Sequence, residues 1–360
     1  MTRLTSLSLT HFRNITTGKI ELHPTLNIFH GDNGAGKTSV LEAIFYLSRG
    51  RSFRTASAQK LICHQKITMA LHGKIQLDNN KSVDIGIEKN MSGSRKVKLN
   101  GEAQTAIAPL TQALPLQFMS PMSYRCFHDG PKARRQHLDW ALFHVKHSFY
   151  HQWQFLQRVL QQRNSALKQR QNHQTWDPQF IEAAMAIDTV REEIFQGFLP
   201  ICQQQLAVLL PELSFTIEYY RGWPAEHSLE ELLYSVRLKE QQLGYTYYGP
   251  QRADIILTVN HRNIQDELSQ GQQKLAAYAI HLALGKLFEQ HKGRGPIYLI
   301  DDLASELDHN SRGKIADTLK QQGAQTFITG ITSSDLSLLT QNNSSQMFHV
   351  KHGAVTRSIG

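Results

Sequence analysis

The chain has 360 residues, 40% hydrophobic and 19% charged, the make-up of an ordinary globular protein with room for one large or two ordinary domains. Its net charge of +9 points to an anionic partner, nucleic acid or a membrane surface. No run of eighteen apolar residues exists to span a bilayer, the N-terminus lacks a signal-peptide core, and Cys63, Cys126 and Cys202 are odd in number and far apart. These features argue against a membrane protein, a disulfide frame and a C-x-x-C zinc site, and lead to the expectation of a cytoplasmic protein.

Residues 4–9 alternate, with Leu4, Leu7 and Leu9 apolar, and predict a strand. Phe12-Arg13-Asn14 follows, and Arg13 is a candidate to reach a nucleotide bound nearby. The apolar run Leu26, Ile28 and Phe29 predicts a second strand. It leads into Gly31-Asp32-Asn33-Gly34-Ala35-Gly36-Lys37-Thr38, which fits G-x-x-x-x-G-K-[ST]. Beyond it Val40, Leu41, Ile44, Phe45 and Leu47 recur at helical spacing. The motif therefore sits between a strand and a helix N-terminus, where its glycines can fold the backbone around an anion. Lys37 is assigned to the β- and γ-phosphates and the Thr38 hydroxyl to Mg²⁺.

From about 60 to 105 the pattern turns to β. Ile67, Met69 and Leu71 alternate, as do Val83, Ile85 and Ile87, and Asn100-Gly101 is a hairpin turn signal. This predicts an antiparallel insert. Leu114 to Met119 predicts a short buried strand, with Gln117 a candidate for a glutamine loop.

Between Pro131 and Gln171 there are eight basic residues, Lys132, Arg134, Arg135, Lys146, Arg158, Arg163, Lys168 and Arg170, against one acid, Asp139. Phe149, Trp153, Leu156, Leu160 and Leu167 mark one face of a long helix. After a polar break from Gln169 to Pro178, Phe180, Ala184, Ile187, Ile194, Phe198 and Ile201 mark another. Two such helices predict an antiparallel hairpin. Lys132, Arg134, Arg135, Arg158, Arg163, Lys168 and Arg170 are its candidate DNA contacts, because so one-sided a charge is not that of a balanced solvated face. The pentapeptide Phe-His-Val-Lys-His occurs at 143–147 and again at 348–352, with no further similarity around it.

A strand near 213–219, a helix near 228–243 and a strand at 255–259 come next. Leu268-Ser269-Gln270-Gly271-Gln272 then opens a helix that Ser269 can cap. Ile297-Tyr298-Leu299-Ile300 is an apolar strand ending in Asp301-Asp302, and Leu303-Ala304-Ser305-Glu306-Leu307-Asp308 follows. A carboxylate at the end of a buried strand suits the Mg²⁺ shell of a phosphate loop.

Taken in order, the phosphate loop, the Ser269-Gln270-Gly271-Gln272 helix start and the Asp301-Asp302 strand end resemble an ABC-type ATPase head: Walker A, signature, and Walker B with its D-loop. Phe12-Arg13-Asn14, Gly249-Pro250-x-Arg252, and the short helical insert resemble, more narrowly, the SMC-like RecF family of bacterial recombination mediators, over essentially the whole chain. The resemblance implies an α/β head, residues 1–125 and 240–360, built from a mixed sheet with an antiparallel β insert, and a helical insert at 126–239. It implies ATP and Mg²⁺ as cofactors and an ATP-dependent homodimer. Gly31 to Thr38 of one copy would bind ATP, and Ser269, Gln270, Gly271 and Gln272 of the other would meet its γ-phosphate. Asp301 would join Thr38 on the metal, Asp302 would orient water, and Asp308 would be the D-loop acid, with Lys37, Asp301 and Asp302 the catalytic set. Duplex DNA and single-strand/duplex junctions, with RecR and RecO, are the implied partners in replication, gap repair and the SOS response.

Two departures imply slow turnover, a timer rather than a motor. Asp302 stands where many ABC heads carry the longer glutamate, and the strand Phe327-Ile328-Thr329-Gly330 ends at glycine where transporter heads place a histidine. The main alternative is the ATPase subunit of an ABC transporter, which would lack the basic helical insert. A nucleotide-binding regulator or kinase would not need the signature helix.

Overall fold

The computed structural model describes residues 2–77, 81–303, 307–331 and 344–358. By contacts between backbone positions the chain divides into two compact units, Met1–Ser123 with Phe288–Gly360, and Tyr124–Leu287.

The first unit opens with the antiparallel pair β1 (Arg3–Phe12) and β2 (Ile15–Glu21), followed by β3 (Leu26–His30) and α1 (Lys37–Arg49). Then come β4 (Thr68–Gln76), β5 (Ser82–Asn90), β6 (Arg95–Leu99), β7 (Glu102–Gln104), α2 (Ala108–Ala113) and β8 (Leu116–Met119). One sheet runs β2-β1-β4-β5-β6-β7. Its period-two pattern buries Met69, Leu71, Ile85 and Ile87 on one face. Ile67, by contrast, stands outside β4 and is 75% exposed. Asn100 and Gly101 turn between β6 and β7 with φ of 50° and 82°, the backbone that a two-residue hairpin requires.

The second unit contains α3 (Pro131–Val145), α4 (Phe149–Lys168), α5 (Asp177–Leu209), β9 (Phe215–Tyr220), α6 (Leu229–Ser235), α7 (Arg237–Leu243), β10 (Asp254–Val259), β11 (Arg262–Asn263), α8 (Ile264–Glu267) and α9 (Gln270–Lys292). The boundary between the units falls inside α9, after Leu287. The α4–α5 pair brackets the expected polar break. On α4 the buried residues are Phe149, Leu156, Val159, Arg163, Ala166 and Leu167, which include three of the five expected positions but neither Trp153 nor Leu160. Trp153 is 36% exposed. Residues 240–287, assigned from sequence to the head, fall in this unit, because β10 pairs with β9 and α3 packs on β10.

The chain returns to the first unit with β12 (Ile297–Ile300), α10 (His309–Gln321), β13 (Thr326–Gly330), β14 (Ser345–Lys351) and β15 (Ala354–Arg357). The second sheet runs β15-β14-β3-β13-β12-β8, parallel except for β15. Helix α1 contacts β1 and β4 of one sheet and β8 and β13 of the other. That is why Val40, Leu41, Ala43, Ile44, Tyr46 and Leu47 are all buried: apolar residues on nearly every side suit a helix enclosed between layers. Gln325, 2% exposed, ties the sheets together: its amide group bonds both the amide and the carbonyl of Leu4.

Candidate functional site

The parallel sheet brings the carboxyl ends of β3, β13 and β12 side by side, the place where open α/β sheets bind ligands. A cleft of about 760 Å³ lies there, within the first unit. Gly31 and Gly36 adopt φ of 144° and 119°. A Cβ on Gly31 would lie 2.2 Å from the Val350 carbonyl oxygen, and one on Gly36 would lie 2.9 Å from the Asn14 side chain. Glycine is therefore demanded at both positions by backbone angle and by space. Helix α1 begins at Lys37 with no side-chain cap on its N-terminus. Its first amides and the positive end of its dipole are thus available to an anion. Lys37 Nζ donates to the carbonyls of Gly31 (2.6 Å) and Asp32 (3.0 Å), so the ammonium lies over the loop.

Across the cleft, Thr38 Oγ1 donates to Asp301 Oδ1 at 3.0 Å, and Thr329 Oγ1 donates to the same oxygen at 2.7 Å. Thr329 also accepts from the Asp302 amide at 2.8 Å. It sits on β13, between the strand that feeds the phosphate loop and the strand that carries the acids, and so joins the two. Burial pushes the Asp301 carboxyl above the usual aspartate range, opposed by the hydrogen bonds from Thr329 and Thr38. Asp302 adjoins it in a left-handed conformation, φ 53°, unusual for a residue with a side chain. A hydroxyl and a carboxylate meeting beside a phosphate cradle are hard oxygen donors of the kind Mg²⁺ takes, so these residues fit that ion.

The wall is formed by Arg13, Asn14, Arg54, Lys60 and His64, among others. Arg13 lines the cleft as expected, but its guanidinium is held by α1: Nε and Nη2 donate to the two Glu42 oxygens at 2.8 and 2.5 Å, and Nη1 donates to the Lys60 carbonyl. Asn14 donates to the Ala35 carbonyl at 3.0 Å and accepts from Ser39, bracing the loop from outside. Thr329, Glu42 and Asn14 are absent from the sequence-based site. Asn14 stands beside Arg13 in the quoted motif, but nothing in spacing alone ties Thr329 or Glu42 to the cleft.

In the second unit, Ser269 and Gln272 form the reciprocal cap expected of a helix start. The Gln272 amide donates to Ser269 Oγ and the Ser269 amide to Gln272 Oε1. Ser269, Gln270 and Gly271 are exposed. Asp308 caps α10 by accepting from the Ser311 amide at 3.0 Å, and the hydrogen bonds from Ser311 hold its carboxyl below the usual range. Ala304, Ser305 and Glu306 of the expected D-loop lie outside the described residues. Gln117, in β8, pairs with Tyr298 of β12 and does not line the cleft.

The basic candidates separate. Lys132, Arg158, Lys168 and Arg170 are exposed. Arg163 is a correction: it is fully buried, bonded to Asp177, Thr246 and Glu240, and cannot contact a DNA backbone from there. Arg134 is also engaged inward, bidentate to Asp254 at 2.8 Å in both bonds, and Arg135 donates to the Ala253 carbonyl. The charge run read as an exposed face is in part a set of internal ties.

Residues 3–356 match the family model described as RecF/RecN/SMC N terminal domain. The chain is 43% identical over 357 residues to the DNA replication and repair protein RecF of Coxiella burnetii, covering 97% of this chain and 98% of that one. It belongs to the RecF family. The RecF of Vibrio cholerae is 38% identical over 360 residues, covering 98% and 99% of the two chains. Among solved structures, one described as the recombination mediator protein RecF-ATP in the RecFOR pathway superposes with a TM-score of 0.87 at 24% identity, covering 99% of this chain and 98% of that one. An Smc head bound to the C-winged helix domain of ScpA superposes at 0.60 with 15% identity, covering 99% and 97%. These likenesses bear out the expected α/β ATPase-head fold. The RecF match runs through the helical unit, the part a transporter ATPase would lack, so that alternative falls away.

Proposed function

We propose that the chain binds ATP with Mg²⁺ in the first unit's cleft, pairs with a second copy while the nucleotide is bound, and acts on DNA in replication, recombinational gap repair and the SOS response. The observation that carries this reading is the pair of hydroxyls, Thr38 and Thr329, on one oxygen of Asp301 at the rim of the Gly31–Lys37 loop. The α1 amides and Lys37 hold the phosphates, and Thr38 with Asp301 holds the cation. When bound, the metal neutralises charge on the phosphate oxygens. Asp302 orients water, and its short side chain favours slow turnover, a weak, DNA-dependent ATPase used as a switch. The exposed Ser269–Gln272 turn meets the nucleotide of the second copy. Lys132, Arg158, Lys168 and Arg170 are the retained DNA contacts, giving sequence-independent binding to duplex and to single-strand/duplex junctions. The relatives' names support the DNA role. RecR and RecO are the proposed protein partners, in the cytoplasm.

The test is the size of the protein with and without ATP and Mg²⁺, in the presence of a short duplex. A dimer that forms only with nucleotide and retains the duplex is the expected result, and Lys37→Ala should abolish it. A wild-type chain that stays monomeric under all conditions would overturn the dimer.

A further inference from the structure

The segment between α7 and β10 carries Tyr245, Tyr247 and Tyr248 within four residues, with Arg252 just beyond. Its backbone is fixed from beneath. Thr246, 2% exposed, donates from both its amide and its hydroxyl to Asn164 Oδ1 at 2.8 Å, and its hydroxyl accepts from buried Arg163 at 2.8 Å. The Tyr247 amide donates to Glu240 Oε1 at 2.7 Å, while the other Glu240 oxygen accepts from Arg163 at 2.7 Å. With Thr246 tied inward, the flanking rings are left toward solvent.

Those rings form one patch with cations among them. Tyr245 and Tyr220, the latter at the end of β9, are each 37% exposed. The rings of Tyr247 and Tyr248 lie 4.8 Å apart, edge to face. Lys239 Nζ stands 3.7 Å from the Tyr247 ring centre, and the Arg252 guanidinium 5.1 Å from that of Tyr245. The Tyr220 phenol is raised by burial and then by Tyr248 and Tyr247, which ties β9 to the same cluster.

Protein-binding patches share the tyrosine and arginine but are depleted in lysine at their centre. Here, although Leu238 and Leu243 nearby in sequence are exposed as well, two exposed cations, Lys239 and Arg252, stand over the Tyr247 and Tyr245 rings. That pairing suits a polymer offering flat bases and phosphates together, and only an unpaired strand leaves its base faces open. A duplex would use the cations and ignore the rings.

We propose that this patch is a stacking platform for single-stranded nucleic acid, with bases on Tyr245, Tyr247 and Tyr220 and phosphates on Lys239 and Arg252. It rests on the DNA-binding reading above. The buried Arg163 knot takes part by holding the platform rigid before the strand arrives, so less ordering accompanies binding.

The test uses the full chain, a labelled oligo(dT) of about fifteen nucleotides, an abasic strand of equal length, and a duplex. Wild type should bind the oligo(dT) more tightly than the abasic strand. The double variant Tyr245→Ala with Tyr247→Ala should lose roughly tenfold or more in oligo(dT) affinity, lose that preference, and keep duplex binding. The double Tyr→Phe variant should keep both, which also guards against misfolding. Replacing Lys239 and Arg252 by Gln should lower the salt slope on the single strand by roughly 0.7 for each cation. An alanine variant that still prefers intact to abasic strand, or a wild type that never did, sinks the platform and leaves the duplex reading standing. Failure of wild type to retain any DNA removes both.

Discussion

Thr329 touches the chemistry only through another residue. By donating to Asp301 and accepting from the Asp302 amide, it fixes the carboxylate that faces Thr38. Outer contacts of this kind are worth roughly ten- to a hundredfold in metal affinity. Thr329→Val should therefore weaken Mg²⁺-dependent nucleotide binding by that factor while Thr329→Ser largely preserves it, as titration calorimetry with and without Mg²⁺ would reveal. The pH dependence has a definite sign. Burial raises the Asp301 carboxyl, so on acidification the ionised form proposed to hold the metal is lost at a higher pH than for an ordinary aspartate. In the metal-free protein the same shift favours folding at low pH and is lost as pH rises through the folded value. Asp301→Asn, which keeps an acceptor for both hydroxyls, should thus raise the melting temperature at neutral pH while removing Mg²⁺-dependent affinity.

Among the elements, α4 shows where sequence reading succeeds and where it stops. Its C-terminal end and its pairing with α5 were legible, because the polar break that opens at Gln169 and the apolar period on either side are local signals. Its buried face was legible at Phe149, Leu156 and Leu167 but not at Arg163, which occupies a core position that periodicity scores as polar. Asp177, nearby in sequence, together with Glu240 and Thr246, some eighty residues away, makes that burial tolerable. The phosphate loop was legible residue by residue, since Gly31 and Gly36 report backbone angles that no other residue adopts comfortably. Thr329 was not, since its role depends on which strand lies between two others. The repeated Phe-His-Val-Lys-His makes the same point: its first copy closes α3 and its second runs along β14, so tertiary surroundings decide its form. Arg163→Ala tests the α4 assignment. It leaves Glu240, fully buried, without its guanidinium, and should cost about 3–5 kcal/mol in denaturant unfolding. Arg163→Ala paired with Glu240→Gln should cost less than the sum of the two single changes. Strict additivity would mean the buried pair does not couple.

Over the whole molecule, the residue that most needs explaining is Gly271. It lies in the first turn of α9, exposed, with helical backbone, and a Cβ there would meet nothing within 4 Å. Among the described residues nothing in the packing calls for glycine, which disfavours a helix by about 1 kcal/mol relative to alanine. A surface that must let another molecule approach its backbone closely, as the proposed second copy would, supplies a reason for it. Ser269 and Gln272 are already committed to capping each other, so the turn is rigid before any partner arrives. Gly271→Ala should leave the isolated chain as stable as before, or more so by up to about 1 kcal/mol, while weakening the proposed ATP-dependent dimer. Thermal unfolding and sedimentation velocity on the same samples separate the two effects. If the alanine chain dimerised with ATP as well as the parent, glycine at this position would be incidental, and the two-copy pocket would have to be built from a different surface.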